Sequence, residues 1–470
     1  MTAEKRAIWK LDAYLVIPLM LFYLLSFIDR TNIGNARVGG LQKALNITDS
    51  QYSLSLTVTY ISHACVEIPS NLLYKRIGPH ILMPTMVVLW GTVATLQGLV
   101  KSYSGLLAAR FFLGFCEGGL LPGVTLYISS FYPRRILQLR LAVLFTATSL
   151  AGAFSGLLAT GILHMDGVGG LAGWAWIFIL EGILTVVIGV AVAFFLPSSL
   201  HTARYLTPEQ KAAMDGLLAP DGLSHAKSGH SHLNWREVTD ALTAPHLWLI
   251  CPIFFFNGAR LFGLAVFAPS IVNSLIKNQP IRAQLLSVPP FAVAFVVSLA
   301  SAFVSDRYGQ RGACIAVFST ISIIGYTIFF KSADSRLNYF ALFLQMVGAY
   351  GVPAALSAWT ANNFSPHYKR ATALAVVFIM SISGGILSTW IFTDPPRYLR
   401  ATRINLAFSV CEVVLAGVNV AYLRHVNKTK AARVAQSAEP SDDGDEKGGA
   451  VTVSEVKEVD DRDASFKYCL

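Results

Sequence analysis

Charge is scarce in this chain. Of its 470 residues only 14% are Asp, Glu, Lys or Arg, whereas 54% are hydrophobic. A soluble globular protein carries about a quarter charged residues, so the polar surface here is too small to cover a globule of this size. A soluble multidomain protein is thereby excluded. Cysteine is also sparse, with six in all. Cys65, Cys116, Cys251, Cys314 and Cys411 fall inside apolar runs and Cys469 near the end, so they read as small buried hydrophobes rather than a disulfide framework. No Gly-rich phosphate-cradling motif precedes a lysine, which leaves ATP drive without support. Outside the apolar runs there is no Ser/His/Asp or Cys/His arrangement, and His63 with Glu67, four residues apart, lacks further metal ligands. Neither an enzyme, a cofactor nor a metal site is expected. The first apolar run is too long for a secretory signal core and has no small-residue cleavage site, and Lys467-Tyr468-Cys469-Leu470 is not a prenylation box.

What the chain does have is long apolar runs. Twelve can be read, at about 13–34, 52–73, 80–100, 104–130, 139–163, 174–196, 247–275, 284–304, 313–330, 337–361, 371–392 and 403–424. A bilayer crossing takes ~20 helical residues, and in hydrocarbon each backbone donor and acceptor must be satisfied within the segment, so each run is expected to be a helix. The fold class expected is an all-α membrane protein. The divisions are an N-terminal stretch 1–12, a six-helix bundle 13–196, a polar linker 197–246, a second six-helix bundle 247–424, and a tail 425–470. The stretch from Glu439 to Asp463 has ten acidic and three basic residues, so the tail is expected to be disordered.

An even number of crossings puts both termini on one side. Lys and Arg concentrate on that side, 24 against 10 in the opposite loops, which predicts cytoplasmic termini. The net charge of +10 therefore marks a membrane face, and no nucleic-acid partner is implied. The halves also repeat one another. Arg76-Ile77-Gly78 follows run 2 and Arg307-Tyr308-Gly309 follows run 8. Pro133 with Arg134, Arg135 and Arg140 follows run 4, and Pro366 with Lys369 and Arg370 follows run 10. Two basic turns at nearly one offset imply pseudo-symmetric six-helix bundles, and parallel halves of this kind rock about a midplane site in transporters.

The residues at these positions carry a family resemblance. They are Phe27-Ile28-Asp29-Arg30-Thr31-Asn32-Ile33-Gly34-Asn35-Ala36, Glu67-Ile68-Pro69-Ser70-Asn71-Leu72-Leu73, Lys75-Arg76-Ile77-Gly78-Pro79 and Arg110-Phe111-Phe112-Leu113-Gly114-Phe115-Cys116-Glu117-Gly118 with Pro122-Gly123. Further along come Gly173-Trp174-Ala175-Trp176-Ile177-Phe178-Ile179-Leu180-Glu181-Gly182, Trp359, Asn362, Asn363, Lys369-Arg370-Ala371 and Asp394-Pro395-Pro396-Arg397-Tyr398. In this order over roughly residues 10–430, the chain resembles the major facilitator superfamily, in its anion:cation symporter branch of fungal allantoate-permease-like and nicotinate-permease-like proteins. Ala175 departs from the arginine usual in the Gly-Trp-Arg-Trp motif, His63 stands where an aromatic is common, and the loop after run 2 lacks the superfamily's acidic residue.

Charges inside the membrane cost about 2.5–3.5 kcal/mol each on insertion scales, so they face a cavity or a partner. That singles out Arg30, Glu67, Arg110, Glu117, Arg260 and Glu412. Arg110 and Glu117, seven apart, share a helix face two turns from one another. The resemblance implies proton coupling by Glu117, with Arg110 tuning it; a static charge network is the alternative. The guanidinium of Arg30, beside Asn32 and Asn35, suits a carboxylate, and the resemblance places its counterpart in the substrate cavity; neutralisation by Asp29 or a lipid phosphate is the alternative. Arg260 would make a second cavity cation opposite Arg30 unless it pairs with an acid of its own half such as Glu412, and relatives have an arginine nearer Asn257. Trp359, Asn362 and Asn363 are candidate polar substrate contacts or helix caps. Tyr60, Tyr127 and Tyr350 are candidate cavity walls, and His63 a pH modulator or a packing residue. Lys75, Arg76, Asp306 and Arg307 read as gating latches or topology markers. Asn46-Ile47-Thr48 is a glycosylation sequon in the first loop away from the termini.

The function expected is secondary active transport of a small organic anion, a nicotinate-like, ureide or other carboxylate, with the proton as coupling ion. A rocker-switch monomer in the plasma membrane's lipid bilayer is the expected form. Export of a carboxylated or secondary metabolite is the alternative, and a non-transporting nutrient sensor the third reading.

Overall fold

The computed structural model describes residues 2–218, 235–276, 279–308, 310–365, 367–392, 398–437, 461 and 468–469. It is all-helical among these residues. Six long helices precede the linker and six follow it. Helix 1 (Ala3–Val38), helix 2 (Asp49–Ile77), helix 3 (Pro79–Gln97), helix 5 (Arg134–Ile162) and helix 6 (Gly173–Ala193) belong to the first half. Helix 4 is broken, Tyr103–Glu117 being continued by Leu120–Ser129. The second half contains helix 7 (Pro245–Leu275), helix 8 (Pro280–Tyr308), helix 9 (Arg311–Lys331), helix 10 (Ser335–Asn363), helix 11 (His367–Ile391) and helix 12 (Leu399–Ser437).

Ten of the twelve are long and apolar enough to cross a membrane by length and composition. The other two fall short for local reasons. Helix 2 is rich in Ser, Thr and Tyr on the face it turns to the other half. Helix 4 stops at Glu117-Gly118-Gly119 and restarts, since Pro122 has no N–H to return to the Gly118 carbonyl. Both pack among the rest, helix 4 against helices 2 and 3 and helix 2 against helix 11. Large apolar side chains that no protein covers, such as Phe112, Val187, Phe194 and Val296, make the surface offered to lipid.

The two halves meet at the ends of helices remote from the termini. Helix 1 crosses helix 7 at Gly34, where a Cβ would collide with the Val266 carbonyl. Gln284 Nε2 donates to the Asn35 carbonyl at 3.2 Å. Helix 2 joins helix 11 through Ser53 Oγ to the Thr389 carbonyl at 2.8 Å and Trp390 Nε1 to Thr57 Oγ1 at 3.0 Å. Tyr52 packs edge-on to Phe267, and Gly152 of helix 5 sits against the Phe291 ring of helix 8. Small residues and hydroxyls let these helices approach closely. The end remote from the termini is thus sealed.

Several boundaries differ from the sequence reading, and helix 1 already begins at Ala3 instead of about residue 13. Helix 12 continues to Ser437, because His425–Ser437 is largely Lys, Ala, Arg and Val, which sustain a helix beyond the bilayer. The linker holds two short helices, Pro208–Leu218 and Trp235–Leu242; Lys10 ties the first to helix 1, its Nζ donating to the Tyr205 carbonyl at 2.9 Å and Gln210 Oε1 at 3.2 Å. Asp461, Tyr468 and Cys469 of the tail lie against the second half. The rest of the acidic tail, and Asp394-Pro395-Pro396-Arg397, lie outside the described residues.

Candidate functional site: a cavity between the two halves

A cavity lies between the halves beneath this seal. Helix 1 contributes Tyr23, Ser26, Phe27 and Arg30, and helix 2 contributes His63 and Glu67. The break in helix 4 contributes Glu117, Leu120 and Leu121, and helix 5 contributes Thr148. From the second half come Phe254, Asn257, Leu261 and Phe262 of helix 7, Pro353 and Ser357 of helix 10, and Phe378, Ser381 and Ile382 of helix 11. Ten of the nineteen lining residues are apolar or aromatic and nine are polar or charged, so apolar walls and converging polar groups meet as in a small-molecule site.

The charged centre is an ion pair on the first half's wall. Arg30 Nη2 lies 2.7 Å from Glu117 Oε1, the guanidinium side chain 12% exposed and the carboxylate 1%. Ser26, one turn before Arg30, donates to the same Glu117 oxygen. His63 Nδ1 is 3.5 Å from the Arg30 Nη2 atom, and the Phe262 ring of the opposite half faces the guanidinium at 5.7 Å, a cation–π distance. Asn257 Nδ2 donates to the Ala349 carbonyl at 3.1 Å, fixing its amide between helices 7 and 10.

Several expected site residues are placed elsewhere. Arg110 is fully buried behind the cavity, next to Gln97 of helix 3. With the amide oxygen of Gln97 turned toward it, that oxygen accepts from Arg110 Nε at 3.2 Å and Nη2 at 2.9 Å. The shared face with Glu117 is real, but two turns of helix carry one group to the cavity and the other to helix 3. Asn32 and Asn35 point to helix 5, Asn35 Nδ2 donating to Ser155 Oγ at 2.6 Å and Ser155 Oγ to Asn32 Oδ1 at 3.4 Å. Asp29 does not neutralise Arg30; it accepts from Trp90 Nε1 at 3.1 Å and Thr185 Oγ1 at 3.0 Å. Glu181 of helix 6, which spacing alone did not single out, is likewise buried away from the cavity.

The expected second cavity cation is corrected. Arg260 has no exposed surface; it pairs with Glu412 of helix 12, itself fully buried, and Nη1 donates to Ser409 Oγ at 2.9 Å. Ser319 of helix 9 donates to the same carboxylate at 2.7 Å. Arg260 lies three residues after the cavity residue Asn257, rotated about 60° around the helix, and its guanidinium reaches helix 12 instead of the cavity. Trp359 and Asn363 also fall outside the cavity, at the C-terminal end of helix 10, and Asn362 is exposed there. Tyr60 packs on Phe262 beside the cavity, Tyr127 donates to the Pro197 carbonyl and Tyr350 stacks edge-on to Phe291. Arg76 is exposed at the end of helix 2. The side chains of Lys75, Asp306 and Arg307 lie outside the described residues. Asn46 is exposed in the loop after helix 1 with φ 52°, a conformation asparagine tolerates.

Sequence reasoning missed Ser26, Tyr23, Thr148, Phe262, Ser357 and Ser381. Ser26 had a readable signal, lying four residues before Arg30 on one helix face. The others are ordinary residues in apolar runs, made distinctive only by the opposing half.

The family model of the Major Facilitator Superfamily matches residues 19–389. The chain belongs to that superfamily. It is therefore an integral, multi-pass membrane transporter and not an enzyme. An uncharacterized transporter of Schizosaccharomyces pombe is 33% identical over 98% of this chain and 90% of its own. The high-affinity nicotinic acid transporter of Saccharomyces cerevisiae is 30% identical over 99% of this chain and 85% of its own. Among solved structures, an inward-facing, unoccupied bacterial homolog of the human lysosomal transporter Spinster matches 87% of this transporter and 96% of its own chain. Its TM-score is 0.67 at 16% identity, a likeness of fold.

Proposed function

We propose that the transporter moves a small organic anion, a flat heteroaromatic carboxylate such as a nicotinate-like compound, together with a proton. The observation that supports this reading is the Arg30–Glu117 pair at the cavity wall. A guanidinium is a fork of donors that can serve one carboxylate or be shared between two. When Glu117 is ionised it holds Arg30; when Glu117 takes a proton, Arg30 is released to bind the substrate carboxylate. Loading the anion and loading the proton then favour one another, which is the linkage symport requires. The added proton also balances the added negative charge in a water-poor site, where an unpaired charge is costly. Phe27, Phe254, Phe262 and Phe378 give a flat ring apolar walls. The resemblance to a nicotinic acid transporter points the same way.

In this reading helices rock about the cavity, with Lys75, Arg76, Asp306 and Arg307 latching the termini side when it closes. Both termini face the cytoplasm by the Lys and Arg bias, the plasma membrane houses the protein as a monomer, and Asn46 is accessible to glycosylation on the far side. The deciding experiment is a thermal-shift screen of purified protein against organic acids and their neutral amides, followed by uptake of the best acid into proteoliposomes. Stabilisation by acids alone, and accumulation that collapses with a protonophore, are expected. Equal stabilisation by amides, or accumulation indifferent to the proton gradient, would overturn the reading.

A further inference from the structure

Glu67 is the cavity carboxyl that the Arg30–Glu117 pair leaves unexplained. It lines the cavity from helix 2, is 3% exposed, and its Oε2 atom has no hydrogen-bond partner among the described residues. Ser70, three residues on, donates to the Glu67 backbone carbonyl at 2.9 Å and not to the carboxyl. Among the described residues Arg30 is the only lysine or arginine of the lining, and Glu117 already holds it at 2.7 Å. A buried polar atom left without a partner is costly. In a cavity wall, such an atom points to a ligand group that completes the hydrogen bond.

Helix 2 sets Glu67 in register with the anion site. His63, four residues earlier on the same face, has its Nδ1 atom 3.5 Å from Arg30 Nη2. Glu67 follows one turn, about 5.4 Å, farther along the wall. A carboxylate at Arg30 and an atom on the far edge of one aromatic ring therefore fall to the two groups in turn. The Phe262 ring faces Arg30 at 5.7 Å, and Phe254 and Phe378 line the same side. These rings meet the faces of a flat guest, which leaves its edge atoms to the polar groups.

Charge decides what the edge atom at Glu67 is. With Arg30 and Glu117 cancelling one another, an ionised Glu67 facing nothing would put a lone negative charge where an anion has to enter. A proton held between the Glu67 carboxyl and a basic ring nitrogen removes that conflict. The carboxyl oxygen and the nitrogen lone pair share it in one hydrogen bond, and the unit is neutral whichever of the two carries it. An aromatic C–H in the same place would leave Glu67 unpaired. We propose that Glu67 is the specificity-determining subsite for a basic ring nitrogen, by which the transporter selects pyridine-type carboxylates over plain aromatic acids. The subsite rests on the organic-anion reading above and adds to it the group that tells one flat acid from another.

The test measures binding of nicotinate and benzoate, which differ only by nitrogen for C–H in the ring, to purified full-length protein by titration calorimetry. The unaltered transporter is expected to favour nicotinate about tenfold, the effect of one hydrogen bond. Glu67→Leu should lose that preference while still binding benzoate. Glu67→Gln, whose amide N–H can donate to the nitrogen, should keep most of it. A second measurement needs no substitution: the nitrogen NMR resonance of isotope-labelled nicotinate should move upfield on binding, as a ring nitrogen does when its lone pair takes up a hydrogen bond. Equal affinity of the two acids for the unaltered protein, an unchanged preference in Glu67→Leu, or an unshifted resonance would overturn the subsite and leave the anion reading standing. Binding of neither acid to the unaltered protein would overturn that reading, and the subsite with it.

Discussion

Each half of the transporter contains a buried arginine–glutamate pair, and the two pairs have opposite surroundings. In the first half Arg30 and Glu117 meet at the cavity wall, where the arginine keeps some exposure and a helix break delivers the acid. In the second half Arg260 and Glu412 are closed off completely and held by Ser409 and Ser319. The same two residue types serve different ends according to access. A pair that water and substrate can reach is exchangeable; a sealed pair can only stay paired, because the desolvation cost of separating it has nothing to offset it. Under the proposed function, the asymmetry would place anion binding and coupling in the first half and leave the second to supply shape, through Phe254, Asn257, Phe262 and Ser357.

The sharpest way to break this comparison is to neutralise the two acids separately. Glu117→Gln is expected to abolish concentrative uptake while leaving substrate exchange measurable in preloaded proteoliposomes. Glu412→Gln should leave the coupling of uptake to the proton gradient intact, and loss of coupling there would reverse the assignment. Next in size is stability. Arg260→Ala leaves a buried carboxylate without its partner and should cost about 3–5 kcal/mol, whereas the double change Arg260→Met with Glu412→Leu should recover most of it; thermal unfolding of the solubilised protein reads both.

Arg30→Ala removes a charged hydrogen-bond donor worth about 1.5–3 kcal/mol and should weaken acid binding by roughly ten- to a hundredfold, with a smaller fall in melting temperature than Arg260→Ala gives, since Arg30 keeps some exposure and Ser26 still donates to Glu117. A matching loss in stability would make Arg30 a structural residue like Arg260. The smaller effect concerns the seal rather than the pairs. Gly34→Ala would push helix 1 from the Val266 carbonyl and cost about 1–3 kcal/mol of overpacking. Cysteine labelling from the side opposite the termini should then reach the cavity more readily.

Much of the architecture was legible beforehand. Each crossing announces itself within about 20 residues, because hydrocarbon demands local hydrogen bonding and local hydrophobicity. The repeated basic turns exposed the two halves. Helix 2, polar along its seal, and helix 4, broken at Glu117-Gly118-Gly119, were read as crossings from the apolar runs 52–73 and 104–130. The candidate site was legible only in part. The arginines and acids were found, and Arg30, Glu117, His63, Glu67 and Asn257 do line the cavity. Asn32, Asn35, Arg110, Arg260 and Trp359 do not, since spacing along a helix fixes a face but not the neighbour that face meets. The tail was read from composition as structureless, and composition is blind to the few residues, Asp461, Tyr468 and Cys469, that find complementary partners on helices 10, 11 and 12.

The amino-acid order by itself determined that twelve helices cross a membrane in two related sets, with charges stranded among them. Both follow from the energetics of single segments in lipid. Tertiary structure decided which charge meets which: Arg30 with Glu117 at an open wall, Arg110 with Gln97, and Arg260 with Glu412 in a closed one. Those pairings depend on helix neighbours far apart in the chain. A buried charge takes whichever counter-charge or amide the packing brings within hydrogen-bonding reach.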